Sequence, residues 1–331
     1  MQDTLFSVIM LAYNCEKYIT KCLDSYCSQD YPAKNFEILI TDDGSTDKTG
    51  EICDSYAEKF PFVKVFHTKN QGTSAARNVA LPHCQGKYIT FCDSDDFVSP
   101  QLISILTHAV EIDPDSDMFV FNYCTELNNN QWPLYDISGM KISDWENISS
   151  ENLSLEILKG TKIGGVGGFT WNKVFKRELV QKILFDANLS VMDDQYWVIK
   201  VLSTYPDMKI CKINYCLYCY VQHPNFGQSR IPGRIYNKDG LSWFVVCQCE
   251  ELALNLTPKV REQIEGLIYY WSTGNLYQMG KLMTPETRKY IKSLMRKYAA
   301  KYYFRSKHSL SLKLRALFRH LLALLHVHKY K

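Results

Sequence analysis

Little at the start of the sequence suggests an export signal, and none is expected: the acid Asp3 precedes a strand-like stretch at 5–13, with no basic flank before it. A cytoplasmic location is therefore expected, which leaves the 12 cysteines reduced and the sequons at Asn147, Asn152, Asn188 and Asn255 unmodified. The chain also lacks a membrane-spanning run, since the longest apolar-leaning stretch, 317–327, is about half of what a span needs. Cys216-Leu217-Tyr218-Cys219 has no second C-x-x-C, and Cys247 and Cys249 stand a single residue apart, which excludes a structural zinc site. Gly164-Gly165-Val166-Gly167-Gly168 has no trailing Lys-Ser/Thr and follows no clear strand; it reads as a hinge or lid segment, not a phosphate loop. Acids are missing altogether after Glu286, where 13 Lys/Arg follow. Residues 1–286 accordingly hold 25 cations against 35 acids, so the net charge of +3 conceals an acidic body and a basic tail. No nucleic-acid-binding module accompanies that tail, and nucleic acid is excluded as a partner.

What is present suits a globular protein. Hydrophobic residues make up 46% and aromatics 13% of the chain, enough for a sizeable core, and 331 residues accommodate one large domain with an appendage or two domains. In the first half strands are expected at 6–13, 36–41, 63–66, 87–92 and 118–122, and helices at 15–29, 46–59, 73–80 and 100–112. This βαβα order predicts an α/β domain with a mostly parallel sheet covered by helices on both faces. Tyr18, Ile19, Cys22, Leu23, Tyr26 and Cys27 recur at helical spacing and read as core. Residues 125–150, rich in Asn, Asp and Ser, predict a long loop.

Two strand ends carry crowded acids. Phe91-Cys92-Asp93-Ser94-Asp95-Asp96-Phe97 puts three carboxylates within four positions just past an apolar strand. Such crowding is costly unless a cation sits among the acids. Hard divalent ions take this kind of oxygen ligand together with substrate phosphates. The alternative is a solvated turn capping the helix that starts near Pro100. Ile38-Leu39-Ile40-Thr41-Asp42-Asp43-Gly44-Ser45-Thr46-Asp47 repeats the pattern, with Ser45 or Thr46 as N-cap of the next helix. Helix-start acids would explain one of Asp42 and Asp43 better than both. A third pair, Asp193-Asp194, opens a helix at 193–202, where Asp193 also suits an N-cap.

Together with Ser7-Val8-Ile9-Met10-Leu11-Ala12-Tyr13-Asn14 and Asn70-Gln71-Gly72-Thr73-Ser74-Ala75-Ala76-Arg77-Asn78, these blocks resemble glycosyltransferase family 2, in order and in separation. The resemblance covers residues 5–225. It implies the Rossmann-like GT-A fold, a nucleotide-sugar donor and inversion at the anomeric carbon, with a catalytic domain at 1–225 and a helical C-terminal region at 226–331. Carried over residue by residue, it implies Asp194 as general base, with Asp193 where relatives have Glu. It implies Mn²⁺ or Mg²⁺ held by Asp95 with support from Asp93. The donor nucleotide is expected against Ala12, Tyr13, Asn14, Asp42, Asp43, Gly72, Arg77, Asp93 and Ser94, with Arg77 near the phosphates or paired with these acids. Trp171 and Lys173 are read as pocket-shaping, against a core Trp. One departure stands out: the Arg that relatives carry after Tyr-x-Tyr is missing beyond Tyr218-Cys219-Tyr220, so its role falls to His223 or Arg230 or is absent.

The resemblance further implies a bacterial enzyme moving sugar from a UDP donor to a saccharide or lipid-linked saccharide acceptor in surface polysaccharide synthesis. A sugar-phosphate nucleotidyltransferase is the alternative, but Tyr13-Asn14-Cys15-Glu16 lacks that class's Gly-rich cationic loop; a non-catalytic nucleotide-sugar-binding relative is the other. In the tail, Leu310, Leu314, Leu317, Leu321, Leu324 and Leu325 line one helical face, with Arg315, Arg319 and His326 opposite. Such a helix either packs on protein or lies on an anionic membrane surface.

Overall fold

The computed structural model of the protein describes residues 4–32, 35–127, 131–141, 143, 145–158, 166–187, 189, 193–223, 256–279, 285–305 and 309–324. The first elements are β1 (Phe6–Ala12), α1 (Ile19–Cys27), β2 (Phe36–Asp42), α2 (Thr49–Lys59), β3 (Val63–His67), α3 (Thr73–Ala80) and β4 (Tyr88–Asp93). Next come β5 (Phe97–Val98), α4 (Leu102–Ile112), β6 (Met118–Cys124), β7 (Glu146–Ile148), α5 (Ser150–Leu158), β8 (Lys173–Lys176), α6 (Arg177–Val180), α7 (Asp193–Thr204) and β9 (Ile210–Cys219). The C-terminal region is helical, as expected: α8 (Pro258–Met279), α9 (Pro285–Ala300), a π-helical turn (Lys301–Arg305) and α10 (Leu310–Leu324).

The strands form one sheet in the order β3-β2-β1-β4-β8-β6-β9-β5, with β7 on β9. The β3-β2-β1-β4 half is parallel throughout. Beyond it the sheet is mixed: β8 runs antiparallel to both β4 and β6, and β9 is parallel to β6 but antiparallel to β5 and β7. The loop expected over 125–150 thus contributes a short strand of its own.

Alternating side chains of each strand go to opposite faces, and both faces are covered, which is why the strands read as unbroken apolar runs. Val8, Met10, Ile38 and Ile40 join α1 and α4 in one core. Ile9, Leu39, Ile89 and Phe91 join α7, α8 and α9 in the other. The C-terminal helices therefore share a continuous core with the sheet through Val260, Ile264, Ile268 and Ile291. Among the described residues no helix is long and apolar enough to cross a membrane.

One boundary differs from expectation. Helix α2 begins at Thr49, and neither Ser45 nor Thr46 caps it. Both are taken by Asn14, which sits at φ +47°. The Asn14 amide donates to Ser45 Oγ at 3.0 Å, and Asn14 Oδ1 accepts from the Thr46 amide at 2.8 Å. Asp47 instead accepts from the Thr49 amide at 3.0 Å.

Candidate active site

Parallel register decides what comes together. Ala12 lies opposite Asp42 and Leu11 opposite Asp93, so the acidic ends of β2 and β4 flank the end of β1 on one edge of the sheet. Open α/β sheets bind ligands at such carboxyl ends. The 13–16 segment is laced to 45–49: besides Asn14, the Cys15 amide donates to Thr49 Oγ1 at 2.8 Å and the Glu16 amide to Asp47 Oδ2 at 3.2 Å.

Asp42 and Asp43 are both buried. Asp43 accepts from the Gln71 amide (2.9 Å), the Gly72 amide (2.8 Å) and Thr68 Oγ1 (3.1 Å). Asp42 accepts from the Ser45 amide at 3.1 Å and lies 3.0 Å from His67 Nδ1. These contacts fold the turns at 43–45 and 68–72 against each other. Only glycine fits at 44, where φ is +76° and a Cβ would stand 2.8 Å from the Asn70 amide nitrogen. Gly72, at φ +89°, opens α3.

The acids after β4 separate into two roles. Asp96, almost fully buried, turns inward: Tyr218 donates to its Oδ2 at 2.7 Å and the Val221 amide to its Oδ1 at 2.7 Å. This third acid therefore pins the chain leading to His223 and takes no ligand position. Asp93 and Asp95 stay accessible, with Asp93 37% exposed. Burial pushes the Asp93 carboxyl up to about 6, opposed by Arg77 and reinforced by Asp95 and Asp193; burial also raises Asp95. His223 stacks on Tyr18, with centroids 4.1 Å apart, and its Nε2 is 3.9 Å from Asp95 Oδ2. Arg230 and the first two glycines of 164–168 lie outside the described residues.

Behind this edge Arg77, buried on α3, gathers the remaining carboxylates. Its Nη1 donates to Asp193 Oδ2 at 2.7 Å and lies 2.6 Å from Asp194 Oδ1, while Nη2 is 3.7 Å from Asp93 Oδ1. The sequence left Arg77 two possibilities, and it is paired with acids. Asp193 also accepts from Thr73 Oγ1 (3.1 Å) and Ser74 Oγ (3.2 Å), tying the start of α7 to the start of α3. Asp194 differs: its Oδ2 accepts a long bond from the Thr170 hydroxyl (3.4 Å), the Thr170 backbone also favours its charged form, and its buried Oδ1 has the Arg77 ion-pair contact without hydrogen-bond geometry. Burial raises its carboxyl to about 7, Arg77 opposing and Asp193 and Asp93 adding to the rise.

Trp171 and Lys173 are buried and offer no surface to a ligand. Trp171 stacks on Tyr218 with centroids 4.4 Å apart. Lys173 Nζ is ringed by four acceptors that share its three N–H groups: the carbonyls of Val166 (2.8 Å), Gly167 (2.9 Å) and Phe169 (2.7 Å) and Asn172 Oδ1 (2.7 Å). The described part of the expected hinge is thus tied down, and it delivers Thr170 to Asp194. Thr170 and His67 were not singled out from the sequence, and Thr73, Ser74 and Tyr218 were quoted only as members of longer blocks, with no role of their own. Cys124 joins the C-x-x-C, its Sγ 3.7 Å from the Tyr218 carbonyl oxygen and Cys216 Sγ 3.9 Å from the same atom.

Among the described residues no group of three or more His, Cys, Asp or Glu side chains is arranged to hold a metal ion. Two accessible carboxylates with an imidazole beside one of them nevertheless form a donor set that fits a hard divalent ion completing its sphere with phosphate oxygens.

A family profile described as glycosyl transferase family 2 matches residues 7–184. The chain is similar to glycosyltransferase GlyA of Streptococcus pneumoniae, 31% identical over 220 residues, or 66% of this chain and 30% of that protein. It thus spans under a third of that relative's length. In structure it is similar to Staphylococcus aureus TarS 1-349 in complex with UDP-GlcNAc, with TM-score 0.54 and 22% identity over 97% of this chain and 81% of that one. It is also similar to the mannosyltransferase PcManGT of Pyrobaculum calidifontis in complex with GDP-Man and Mn²⁺, with TM-score 0.55 and 15% identity over 97% and 88% of the two chains. The mixed sheet with helices on both faces is the GT-A fold shared with TarS.

Proposed function

The chain belongs to glycosyl transferase family 2, and on that premise we propose an inverting glycosyltransferase that moves a sugar from a UDP-linked donor to a saccharide or lipid-linked saccharide acceptor. Surface polysaccharide synthesis on the cytoplasmic side of a bacterial membrane is the setting, with residues 1–225 carrying the chemistry and 226–331 appended. The observation that carries this reading is the pairing of accessible Asp93 and Asp95 with a largely buried Asp194 whose Oδ2 accepts a long bond from the Thr170 hydroxyl.

In this reading the donor nucleotide lies along Ala12, Tyr13, Asn14 and the 42–43 and 72 turns, with its base and ribose against Asp43 and Asp42. Ser94 lines the phosphate side, and Arg77 lies behind it, paired with Asp93, Asp193 and Asp194. Asp95 and Asp93, with His223 beside them, would hold Mn²⁺ or Mg²⁺. Bound there, the ion supplies charge stabilisation to the departing diphosphate. The acceptor hydroxyl donates its hydrogen bond to Asp194 Oδ2, because Oδ1 is fully buried against Arg77 Nη1. Its oxygen bonds to the anomeric carbon from the face opposite the diphosphate as the sugar–phosphate bond breaks, and its proton ends on Asp194. One displacement inverts the centre with no covalent enzyme intermediate. Asp193 does not reach the hydroxyl in this scheme; with Thr73 and Ser74 it holds Arg77, which keeps Asp194 in place. Trp171 and Lys173 support the 166–170 turn from behind.

A nucleotidyltransferase would need cations in the 13–16 segment, and that segment carries none and is laced to 45–49. Thermal shift with UDP-GlcNAc, other UDP-sugars and GDP-mannose, each with and without Mn²⁺, tests the donor assignment. Stabilisation by a UDP-sugar only with Mn²⁺, and donor hydrolysis lost in Asp95→Ala, is the expected result. Stabilisation by no nucleotide sugar, or hydrolysis unchanged in Asp95→Ala, overturns it.

A further inference from the structure

Eight large apolar side chains are strongly exposed among the described residues, and six of them crowd into a short stretch: Phe304, Leu310, Leu314, Leu317, Phe318 and Leu321. At about 100° per residue the five on α10 fall within an arc of roughly 100°, a single stripe. An amphipathic helix on a folded protein ordinarily turns such a stripe inward. This one is turned the other way.

The contacts of α10 show why. Among the described residues its inward side is largely polar. Lys313 Nζ donates to the Tyr303 carbonyl at 3.1 Å, His320 Nδ1 lies 2.8 Å from Tyr269 Oη, and the Arg319 guanidinium stacks over Tyr270 at 5.2 Å. Among the described residues of α10, Ala316 is the fully buried one. The protein thus spends its hydrogen bonds on anchoring α10 by its polar side and leaves leucines 42–72% exposed on the other. Lone exposed leucines need no explanation, but a continuous stripe of them does.

The charge says what covers the stripe. From residue 287 onward the chain carries 13 cations and no acid. Lys289, Arg296, Lys297 and Arg315 are exposed on α9 and α10. An outward apolar stripe on a tail that carries cations and no acids, with Arg315 exposed on the same helix, matches a bilayer surface bearing anionic headgroups, where leucines enter the acyl boundary and Lys/Arg meet phosphates. With 15 residues α10 is about 22 Å long, too short to span a bilayer of roughly 30 Å. It would lie in the surface plane. We propose that the outward Leu310–Leu321 face of α10 docks this protein peripherally on an anionic lipid bilayer.

The test reads binding and no activity, so its failure is distinct from failure of the glycosyl-transfer reading. The full chain is sedimented with vesicles of phosphatidylglycerol and phosphatidylcholine, and with phosphatidylcholine alone, at low and high salt. Wild type should co-sediment with the anionic vesicles and bind at least about tenfold more weakly to neutral vesicles or in high salt. Combined Leu314→Ser, Leu317→Ser and Leu321→Ser should weaken binding at least about tenfold with an unchanged melting temperature, since these side chains are exposed. Emission of Phe318→Trp should shift to the blue when anionic vesicles are added. Wild type remaining in the supernatant with anionic vesicles overturns the proposal. So does Phe318→Trp already blue-shifted without lipid in a chain that light scattering finds dimeric, because a second copy then covers the stripe.

Discussion

The two groups of acids at the site are held in opposite ways. Asp42 and Asp43, at the end of β2, are met by donors: amides of Ser45, Gln71 and Gly72, the Thr68 hydroxyl and the His67 ring. Around Arg77 three carboxylates share one guanidinium, and Asp194 Oδ1 meets Arg77 Nη1 as an ion-pair contact with no further donor. The first group is scaffold as well as candidate binding surface. The second holds surplus negative charge, which is what a proton acceptor requires. A crowd of acids in a sequence announces neither role; the number of donors folded against each oxygen decides between them.

Removing the surplus is the sharpest way to break the contrast. Asp194→Asn should lower sugar transfer by about 10³-fold, the range for loss of a general base, with the fold intact. In wild type kcat/KM should rise with pH and level off above about 7, where Asp194 has lost its proton. Stability should move the other way. The folded value of about 7 lies above the ordinary 3.8, so the native state holds a proton that the unfolded chain has released. The stabilising contribution is complete below 3.8 and declines as pH rises through 7. Asn carries no such penalty, so the melting temperature of Asp194→Asn should exceed that of wild type by a margin that widens from pH 4 to 7 and then stays constant.

Removing the cation reverses the sign. Arg77→Met leaves Asp93, Asp193 and Asp194 without their guanidinium and should cost about 3–5 kcal/mol in denaturant unfolding, as for a buried pair broken on one side. Arg77→Lys should recover less than half of it, because one ammonium cannot reach Asp193 and Asp194 through Nη1 and Asp93 through Nη2 together. In the scaffold group Asp43→Asn should cost less, about 1–3 kcal/mol, since its amide must face either the Gly72 or the Gln71 and Thr68 donors with an N–H. Equal losses from Arg77→Met and Asp43→Asn would erase the distinction drawn between the two groups.

The parallel half of the sheet was legible because burial on both faces writes each strand as an apolar run, and the acids announce themselves where those runs stop. The other half was not. Lys173–Lys176 is too short to show a period, so its antiparallel insertion between β4 and β6 left no trace in the sequence. The Arg77–Asp193 pair joins residues 116 positions apart, and only the family resemblance brought Arg77 to notice. Asp96 reads like Asp93 and Asp95 until Tyr218 and the Val221 amide are seen to occupy it. The start of α2 was misplaced because Asn14, from another turn, takes the hydroxyl and the amide that a local cap would use. In α10 periodicity gave the stripe but could not say which side faces out; Lys313, Arg319 and His320 settle that through partners on other elements.

The smallest expected effect probes the one scaffold acid that relies on a titratable donor. His67, about half exposed, bridges Asp42 Oδ2 and Asp54 Oδ1 at 3.0 Å each. Its hydrogen bond to Asp42, then that to Asp54, raises its pKa above the ordinary 6.5. The raised value means that the charged ring favours the folded state. That contribution is complete below 6.5 and is lost as pH rises through the folded value. His67→Gln should therefore lower the melting temperature at pH 6 by an amount equivalent to about 0.2–1 kcal/mol, with solvent screening keeping it at the low end. At pH 9 it should change little, because the Ser45 amide continues to hold Asp42 and does not titrate. A loss of the same size at both pH values would mean that Asp42 leans on His67 for shape and not for charge. The scaffold acids would then be as independent of protonation as Asp43, and the contrast with the Arg77 group would sharpen.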